Sequence, residues 1–229
     1  MTKIGLIGCG AWGHNLARNL AQLNVLNCVA DTDADRAFYF AEQFDTDAKT
    51  VPDLLSDDRL DGIVLATSAH THRDLALAAL KAGHHVYVEK PLTVALTDAE
   101  DIKEAAESSN RNVMVGHLIR YHDAFIELQA QVAKGAIGEI RHITTSRLAM
   151  GRIRNVESVL FDLCPHDLSL VLSLMGEEPE RVSCNMASHI TAGVADFVSA
   201  YLGFSDNRSA AINCSWYSPY KEHRLTVTG

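Results

Sequence analysis

The sequence has few cysteines, and their pattern argues against two kinds of covalent or metal support. The chain of 229 residues has five cysteines, an odd number, and none of them belongs to a C-x-x-C pair. This spacing signals neither a disulfide framework nor a zinc site. We expect free, buried thiols at Cys9, Cys28, Cys164, Cys184 and Cys214.

Positive charge and long apolar runs are also lacking. The formal net charge is −9, with 20 basic against 29 acidic residues, which argues against a nucleic-acid partner. No apolar run approaches the roughly 18 residues of a membrane span, and the N-terminus has no basic stretch before an apolar segment. We therefore expect a cytoplasmic, globular protein without a membrane partner.

Alternating strand and helix patterns fill residues 1–119. They predict a doubly wound parallel sheet with helices on both faces, as in a Rossmann domain. After residue 120 two helical patterns are followed by a series of strands, which predicts an α+β domain with an open, largely antiparallel sheet. We expect two domains, 1–119 and 120–229. The predicted helices are 12–23, 33–43, 71–82, 97–108, 121–134 and 165–175, and the predicted strands are 3–8, 25–31, 61–66, 84–88, 112–116, 139–148, 181–188, 194–203, 208–217 and 222–228.

A glycine pattern follows the first apolar run. Gly8, Gly10 and Gly13 form G-x-G-x-x-G between a predicted strand and a predicted helix. In this setting the first glycine permits a tight turn, the second admits a pyrophosphate and the third allows close helix packing. The pattern predicts a dinucleotide site, and a structural βα turn is the alternative.

Asp31 ends the second apolar run, close to the roughly 20-residue spacing at which a carboxylate meets the adenosine ribose. A carboxylate there favours NAD over NADP, because it repels a 2′-phosphate. No arginine follows before Arg36, which lies beyond the apparent start of the next helix.

Polar residues follow two later strands. Thr67, Ser68 and His72 come after one strand, and Glu89 and Lys90 end the next. Ligands of open α/β sheets bind outside the carboxyl ends of the strands. We expect a nicotinamide site here, in which Lys90 donates to a reacting oxygen. Helix capping and a solvated Glu-Lys pair are the alternatives.

Asp162 and His166 lie one helical turn apart in the sequence, on either side of Cys164-Pro165. A carboxylate that holds an imidazole raises its basicity, which a base that deprotonates a hydroxyl requires. A structural histidine and a metal site are the alternatives.

Several arginines follow the presumed domain junction. Arg120 and Tyr121 come first, and Arg147, Arg152 and Arg154 follow on the next strand and loop. These residues suit a polyhydroxylated or anionic substrate, and surface ion pairs are the alternative.

Taken together, the ordered motifs resemble the Gfo/Idh/MocA family, named for glucose-fructose oxidoreductase and inositol 2-dehydrogenase. The resemblance covers the whole chain, and Glu89-Lys90-Pro91 is its most specific element. The segments around Gly10-Ala11-Trp12 and Gly116-His117 are similar to UDP-N-acetylglucosaminuronate 3-dehydrogenases.

The resemblance implies an NAD-dependent dehydrogenase of a secondary sugar hydroxyl, with UDP-N-acetylhexosaminuronates as the favoured substrates. It implies catalytic roles for Lys90, Asp162 and His166, with Asp162 as partner of His166 or as a substrate ligand. The expected cofactor residues are Gly8, Gly10, Ala11, Trp12, Gly13, Asp31, Thr67, Ser68, His72, Glu89 and Lys90, and the expected substrate residues are Arg120, Tyr121, Arg147 and Arg154. An inositol or free-sugar dehydrogenase and a non-catalytic NAD-binding sensor are the alternatives.

The resemblance also implies a homo-oligomer, a dimer or tetramer, formed through the second sheet. Ser169 departs from the family pattern, since many members carry aspartate there. Members usually have longer chains, so we expect the second domain to lack its last part.

Overall fold

The computed structural model describes residues 1–151, 154 and 157–229, so Arg152 lies outside the described residues. They divide into two compact units, Met1–Gly116 and His117–Gly229. The boundary lies just before the predicted junction at 119/120.

The first unit contains a six-stranded parallel sheet with the order β3-β2-β1-β4-β5-β6. Its strands are β1 (Ile4–Ile7), β2 (Leu26–Ala30), β3 (Asp47–Lys49), β4 (Gly62–Leu65), β5 (His85–Val88) and β6 (Val113–Val115). Its helices are α1 (Ala11–Gln22), α2 (Ala34–Phe44), α3 (Val51–Leu55), α4 (Ala69–Lys81) and α5 (Leu96–Ser109).

Alternate strand residues fill two cores on opposite faces of this sheet. Leu6 and Val64 pack with residues of α1 and α2, whereas Ile7 and Leu65 pack with residues of α4 and α5. This two-residue alternation is what a pleated strand buried on both faces requires. The predicted doubly wound sheet is confirmed.

Two short elements of the first unit escape the sequence prediction. β3 has three residues and no long apolar run, and α3 has five. The side chain of Thr50 caps α3 by accepting from the Asp53 N–H at 3.2 Å, and Pro52 stands in its first turn. The helical period cannot be recognised in so short a segment.

The second unit contains a five-stranded sheet with the order β11-β7-β10-β9-β8. Only the pair of β7 and β10 is parallel among its described pairs, so the predicted largely antiparallel sheet is confirmed. Its strands are β7 (His142–Met150), β8 (Arg181–Ala187), β9 (Phe197–Gly203), β10 (Ser209–Ser215) and β11 (Tyr217–Thr228). Its helices are α6 (Asp123–Ala133), α7 (Val159–Asp162) and α8 (Cys164–Met175), with 3-10 turns at Leu118–Tyr121 and Ser205–Asn207.

α8 covers one face of this sheet. Val171 and Met175 pack against Ile143 of β7 and Ile212 of β10.

β11 lies at one end of the sheet order. It begins at Tyr217, a residue that the sequence pattern assigns to the preceding strand. Its register against β7 shifts between Tyr217 and Glu222, where Pro219 has no N–H to donate to the ladder.

Candidate functional site

The turn between β1 and α1 requires glycine at its first position. Gly8 has a φ of 105°, and a Cβ there would lie 2.7 Å from the carbonyl carbon and oxygen of Ala66. Any other residue would be strained in its backbone and would also clash with the end of β4.

The other two glycines of the motif differ sharply in the space around them. A Cβ on Gly13 would lie 1.9 Å from the Gly8 carbonyl oxygen, so α1 packs directly on the turn. A Cβ on Gly10 would meet no protein atom within 4 Å. α1 begins after Gly10 without a side-chain cap and without an acidic residue in its first turn. Its first N–H groups and the open space beside Gly10 suit the approach of a pyrophosphate.

A cleft of about 820 Å³ opens beside this turn. Its volume is in the range of small-molecule and cofactor pockets, roughly 300–1,000 Å³. Seven of the residues predicted to bind cofactor line it, namely Gly8, Gly10, Ala11, Trp12, Asp31, Thr67 and Ser68. The residues of the first unit therefore fit a dinucleotide.

Asp31 is fixed at the end of β2 by backbone donors. Its Oδ2 accepts from the Cys9 N–H at 2.7 Å, and its Oδ1 accepts from the Asp33 N–H at 3.0 Å. Burial, followed by the Asp31 charge, raises the pKa of the Cys9 thiol to about 12. Cys9 is therefore a neutral thiol beneath the turn, without the thiolate character of a nucleophile.

Arg36 lines the same cleft. In the sequence it lies beyond the apparent start of the next helix, so the spacing does not predict that it approaches Asp31. Asp33 caps α2 by accepting from the Arg36 N–H at 3.2 Å. The first helical turn thereby brings the Arg36 Nη1 to 3.8 Å from the Asp31 Oδ1. The Asp33 cap with arginine three residues later is the sequence signal that could have revealed this approach.

His72 lies buried behind the cleft. Its Nε2 is 3.1 Å from the Thr67 carbonyl oxygen, and its Nδ1 is 3.0 Å from the Pro91 carbonyl oxygen and 3.1 Å from that of Leu92. The ring thus joins the loop that follows β4 to the loop that follows β5. The imidazole therefore holds these two loops together, and it is not among the residues that line the cleft.

Glu89 and Lys90 follow β5 directly. Glu89 is 6% exposed, and its Oε1 accepts from the Tyr87 hydroxyl at 2.8 Å. Its Oε2 accepts from the Lys90 N–H at 3.3 Å. Lys90 itself is half-buried. The fixed carboxylate holds the backbone at which the Lys90 side chain begins.

In the second unit, Asp162 and His166 belong to two successive helices, of which the first has four residues and the second has twelve. Asp162 is the last residue of α7, and His166 lies in the first turn of α8, after a break at Leu163. Pro165 fits this position because the first helical turn needs no N–H from it. Ser169 Oγ donates to the His166 carbonyl oxygen at 2.7 Å, within the same helix.

The Asp162 carboxylate accepts two hydrogen bonds from outside its own helix. Arg154 Nη2 donates to Oδ1 at 3.0 Å, and the Trp216 indole N–H donates to Oδ2 at 3.0 Å. Two residues predicted to act on substrate, Arg154 and Asp162, are therefore in direct contact.

Arg147 is engaged in a buried ion pair. Its side chain is 12% exposed, and it donates from Nε at 2.8 Å and from Nη2 at 3.0 Å to the Asp167 carboxylate. Desolvation of both groups is offset by this bidentate geometry. The pair ties β7 to the first turn of α8, next to His166.

Arg120 and Tyr121 lie on a 3-10 turn beside a later part of α8. Arg120 Nη2 donates to the Ser173 hydroxyl at 3.2 Å, and Gln129 donates to the same oxygen at 2.9 Å. Tyr121 is 64% exposed. Ser173 lies nearly two helical turns after His166, so this pair and Arg147 occupy different parts of the second unit.

Two features are absent from the part of the chain that the structure describes. Over residues 1–151, 154 and 157–229, no group of three or more His, Cys, Asp or Glu side chains has a metal-binding arrangement. Within the same ranges, no helix has the length and apolar character needed to cross a membrane.

Comparison with known families decides the relationship. Residues 2–117 match the model described as the Gfo/Idh/MocA oxidoreductase family with an NAD-binding Rossmann fold. Residues 125–229 match the model of a C-terminal domain of the same family. The chain belongs to the Gfo/Idh/MocA family. The resemblance read from the motifs is confirmed.

The relatives of this chain are named for different activities. The chain is 34% identical over 79% of its length to the inositol 2-dehydrogenase of Acidothermus cellulolyticus, of which it covers 55%. It is 29% identical over 92% of its length to the myo-inositol 2-dehydrogenase of Thermotoga maritima, of which it covers 69%.

Among solved structures, the UDP-N-acetylglucosamine 3-dehydrogenase GnnA of Acidithiobacillus ferrooxidans is similar over 99% of this chain. The TM-score is 0.90 at 28% identity, and the match covers 71% of the GnnA chain. The chain thus spans between about half and three quarters of the length of these relatives.

Proposed function

We propose that the protein is an NAD-dependent oxidoreductase that interconverts a secondary hydroxyl and a ketone on a sugar. The observation that carries this proposal is the cleft lined by the glycine turn and Asp31. The open space at Gly10 receives the pyrophosphate, and Asp31 meets the adenosine ribose hydroxyls. NAD, when bound, accepts the hydride from the reacting carbon.

The roles of the reacting side chains come from the family motifs. Lys90 donates a hydrogen bond to the reacting oxygen and stabilises the negative charge that develops there. His166 takes the hydroxyl proton during oxidation and returns it during reduction. Asp162 holds the imidazole or binds the substrate.

The proposed substrate is a nucleotide sugar, such as a UDP-N-acetylhexosaminuronate. The family motifs support this assignment, and Arg154 is the candidate contact: its side chain is 47% exposed, and an anionic group of the substrate would compete with its ion pairs to Asp162 at 3.0 Å and Glu157 at 3.3 Å. A guanidinium suits a diphosphate or a uronate carboxylate. Inositol is the second candidate, because the Acidothermus relative at 34% identity is named an inositol 2-dehydrogenase.

The first experiment measures NADH binding by fluorescence and then NAD reduction with a panel of UDP-sugars, uronates and inositols. Reduction with one panel member is the expected result. His166→Asn should abolish turnover and leave NADH affinity unchanged. NADH binding without turnover on the whole panel would favour the sensor alternative, and loss of both properties in His166→Asn would contradict the proposed role of His166.

We also propose that the chain forms a dimer or tetramer through the second sheet. β8 lies at the end of the sheet order, and its Val182 and Met186 are 64% and 57% exposed. Light scattering after gel filtration tests this. A monomeric mass at all concentrations would refute it.

A further inference from the structure

A histidine outside the family motifs is held by a buried carboxylate in the second unit. His189 lies in the loop between β8 and β9, and its Nδ1 is 2.7 Å from the Asp196 Oδ1. Asp196 is 1% exposed, whereas the His189 side chain is 52% exposed. A polar ring is thus anchored at one edge and open to solvent at the other.

The carboxylate determines which ring nitrogen carries the proton. Asp196 Oδ2 also accepts from the N–H groups of His189 at 2.7 Å and Ile190 at 2.9 Å. Burial by itself would raise the pKa of Asp196, but hydrogen bonds from His189 and these N–H groups lower it overall. An ionised carboxylate only accepts, so Nδ1 is the donor. In the neutral ring, Nε2 then presents a lone pair on the exposed side.

His189 is linked to Asp162 through two intervening residues, Asp196 and Trp216. The Trp216 N–H donates to the Asp196 carbonyl oxygen at 3.0 Å, and the Trp216 indole donates to Asp162 at 3.0 Å. Ser215 Oγ also donates to the Asp196 carbonyl oxygen, at 3.0 Å. The loop that carries His189 and the carboxylate of Asp162 are therefore held to the same end of β10.

An aromatic ring accompanies His189 at this end of the sheet. The ring centroids of His189 and Tyr217 are 6.1 Å apart with an interplanar angle of 32°, and Tyr217 is 52% exposed. An exposed aromatic face beside a fixed hydrogen-bond acceptor suits a hydroxylated ring, since the ligand has both apolar C–H faces and O–H donors.

We propose that His189 Nε2 accepts a hydrogen bond from a hydroxyl of the carbohydrate substrate, away from the reacting carbon, while Tyr217 packs against the same sugar or cyclitol ring. This inference rests on the proposed function and defines the substrate class as a ring with a second free hydroxyl. The main-chain N–H groups of His189 and Ile190 already bind Asp196 and hold the loop. The shape of the loop therefore does not require an imidazole at position 189.

Three variants test the proposal. His189→Ala removes the acceptor, and His189→Gln replaces it with an amide oxygen at a similar reach. His142→Gln is the matched control: His142 begins β7 and its Nδ1 is 2.8 Å from the Ser209 hydroxyl, at the opposite end of β10. Affinity for myo-inositol and for UDP-N-acetylglucosamine is measured by calorimetry on the full chain in the presence of NADH.

We expect one of the two probes to bind the unaltered chain. His189→Ala should weaken that binding about fivefold to tenfold, the usual effect of losing one neutral hydrogen bond. His189→Gln should recover part of it, and His142→Gln should bind normally. ¹⁵N NMR of the neutral imidazole should show the proton on Nδ1 and none on Nε2, and Asp196→Asn should change this tautomer.

The remaining outcomes distinguish a failure of the His189 subsite from a failure of the proposed function. Unchanged affinity in His189→Ala would overturn this inference, and NAD reduction by the unaltered chain would leave the proposed function standing. Weakened binding in His189→Ala without NAD reduction by the unaltered chain would support the carbohydrate subsite and overturn the proposed dehydrogenase. Failure of both probes to bind would overturn the substrate class and the subsite together.

Discussion

Arg147 on β7 and Asp167 on α8 form a bidentate ion pair with distances of 2.8 and 3.0 Å, and the Asp167 side chain is 3% exposed. The sequence predicted that Arg147 meets substrate, because an arginine in an acidic chain suggests an anion site. The structure commits its guanidinium to a partner inside the protein. The pair supports the helix turn that carries His166.

Breaking this pair should destabilise the second unit. Arg147→Ala leaves a buried carboxylate without its counter-ion, so we expect a loss of about 3 kcal/mol in the free energy of unfolding. Urea denaturation measures the loss. Arg141→Ala is the control, because Arg141 pairs with Glu139 at the surface and such pairs contribute under about 1 kcal/mol. Equal effects of the two substitutions would show that the Arg147 pair contributes no more than a surface pair.

The cofactor preference should depend on two side chains at the cleft. Asp31 repels a 2′-phosphate, and Arg36, whose Nη1 lies 3.8 Å from Asp31, attracts it. We expect the unaltered chain to bind NADH more tightly than NADPH. Asp31→Ser should raise NADPH affinity about tenfold, and Arg36→Ala should lower it with little effect on NADH.

Fluorescence titration with both nucleotides measures these affinities. Arg18→Ala, which removes an exposed charge from α1, controls for a general loss of positive charge. Equal NADPH affinities of the Arg36 and Arg18 variants would remove Arg36 from cofactor selection.

The sequence predicted the main architecture because its signals are local. Gly8 and Gly10 lie between β1 and α1, Gly13 lies in the first turn of α1, and Asp31 directly follows β2. A glycine turn after a strand, and a carboxylate at the end of the following strand, can each be recognised within a short segment of sequence. The family match then confirmed the resemblance that the motifs suggested.

Partnerships between distant segments could not be predicted in the same way. Arg147 meets Asp167, and Trp216 meets Asp162, across long stretches of chain. Such contacts depend on the register of β7 and β10 and on where α8 begins. A single sequence does not fix strand register, and a shift of one residue would turn each side chain to the other face.

Alanine substitutions at two glycines of the turn should separate the effects on cofactor binding from the effects on stability. Gly10→Ala adds a methyl group where no protein atom lies within 4 Å, so unfolding should change by under about 1 kcal/mol. The methyl should still block the pyrophosphate and weaken NADH binding more than about tenfold.

Gly13→Ala is the companion variant. Its methyl would lie 1.9 Å from the Gly8 carbonyl oxygen, so both stability and NADH binding should fall. Thermal unfolding and NADH titration together distinguish the two variants. Normal NADH affinity in Gly10→Ala would contradict a pyrophosphate at this turn.

A buried carboxylate in the first unit should make stability depend on acid pH. Asp57 accepts hydrogen bonds from Arg59, at 2.8 Å from both Nε and Nη2, and from Lys49. These bonds lower the pKa of Asp57 in the folded chain, below the roughly 3.9 of an unfolded aspartate. The stabilisation is complete above the unfolded pKa and is lost as the pH falls through the folded pKa.

Asp57→Asn should therefore unfold more easily at neutral pH and lose less stability than the unaltered chain between about pH 5 and pH 2. Its exposed neighbour gives a matched control, Asp58→Asn, which should keep the steep acid dependence. Urea midpoints measured across this pH range test the difference. Parallel pH profiles for the unaltered chain and Asp57→Asn would mean that the acid sensitivity comes from other carboxylates, because only a group whose pKa differs between the folded and unfolded chains contributes to the slope.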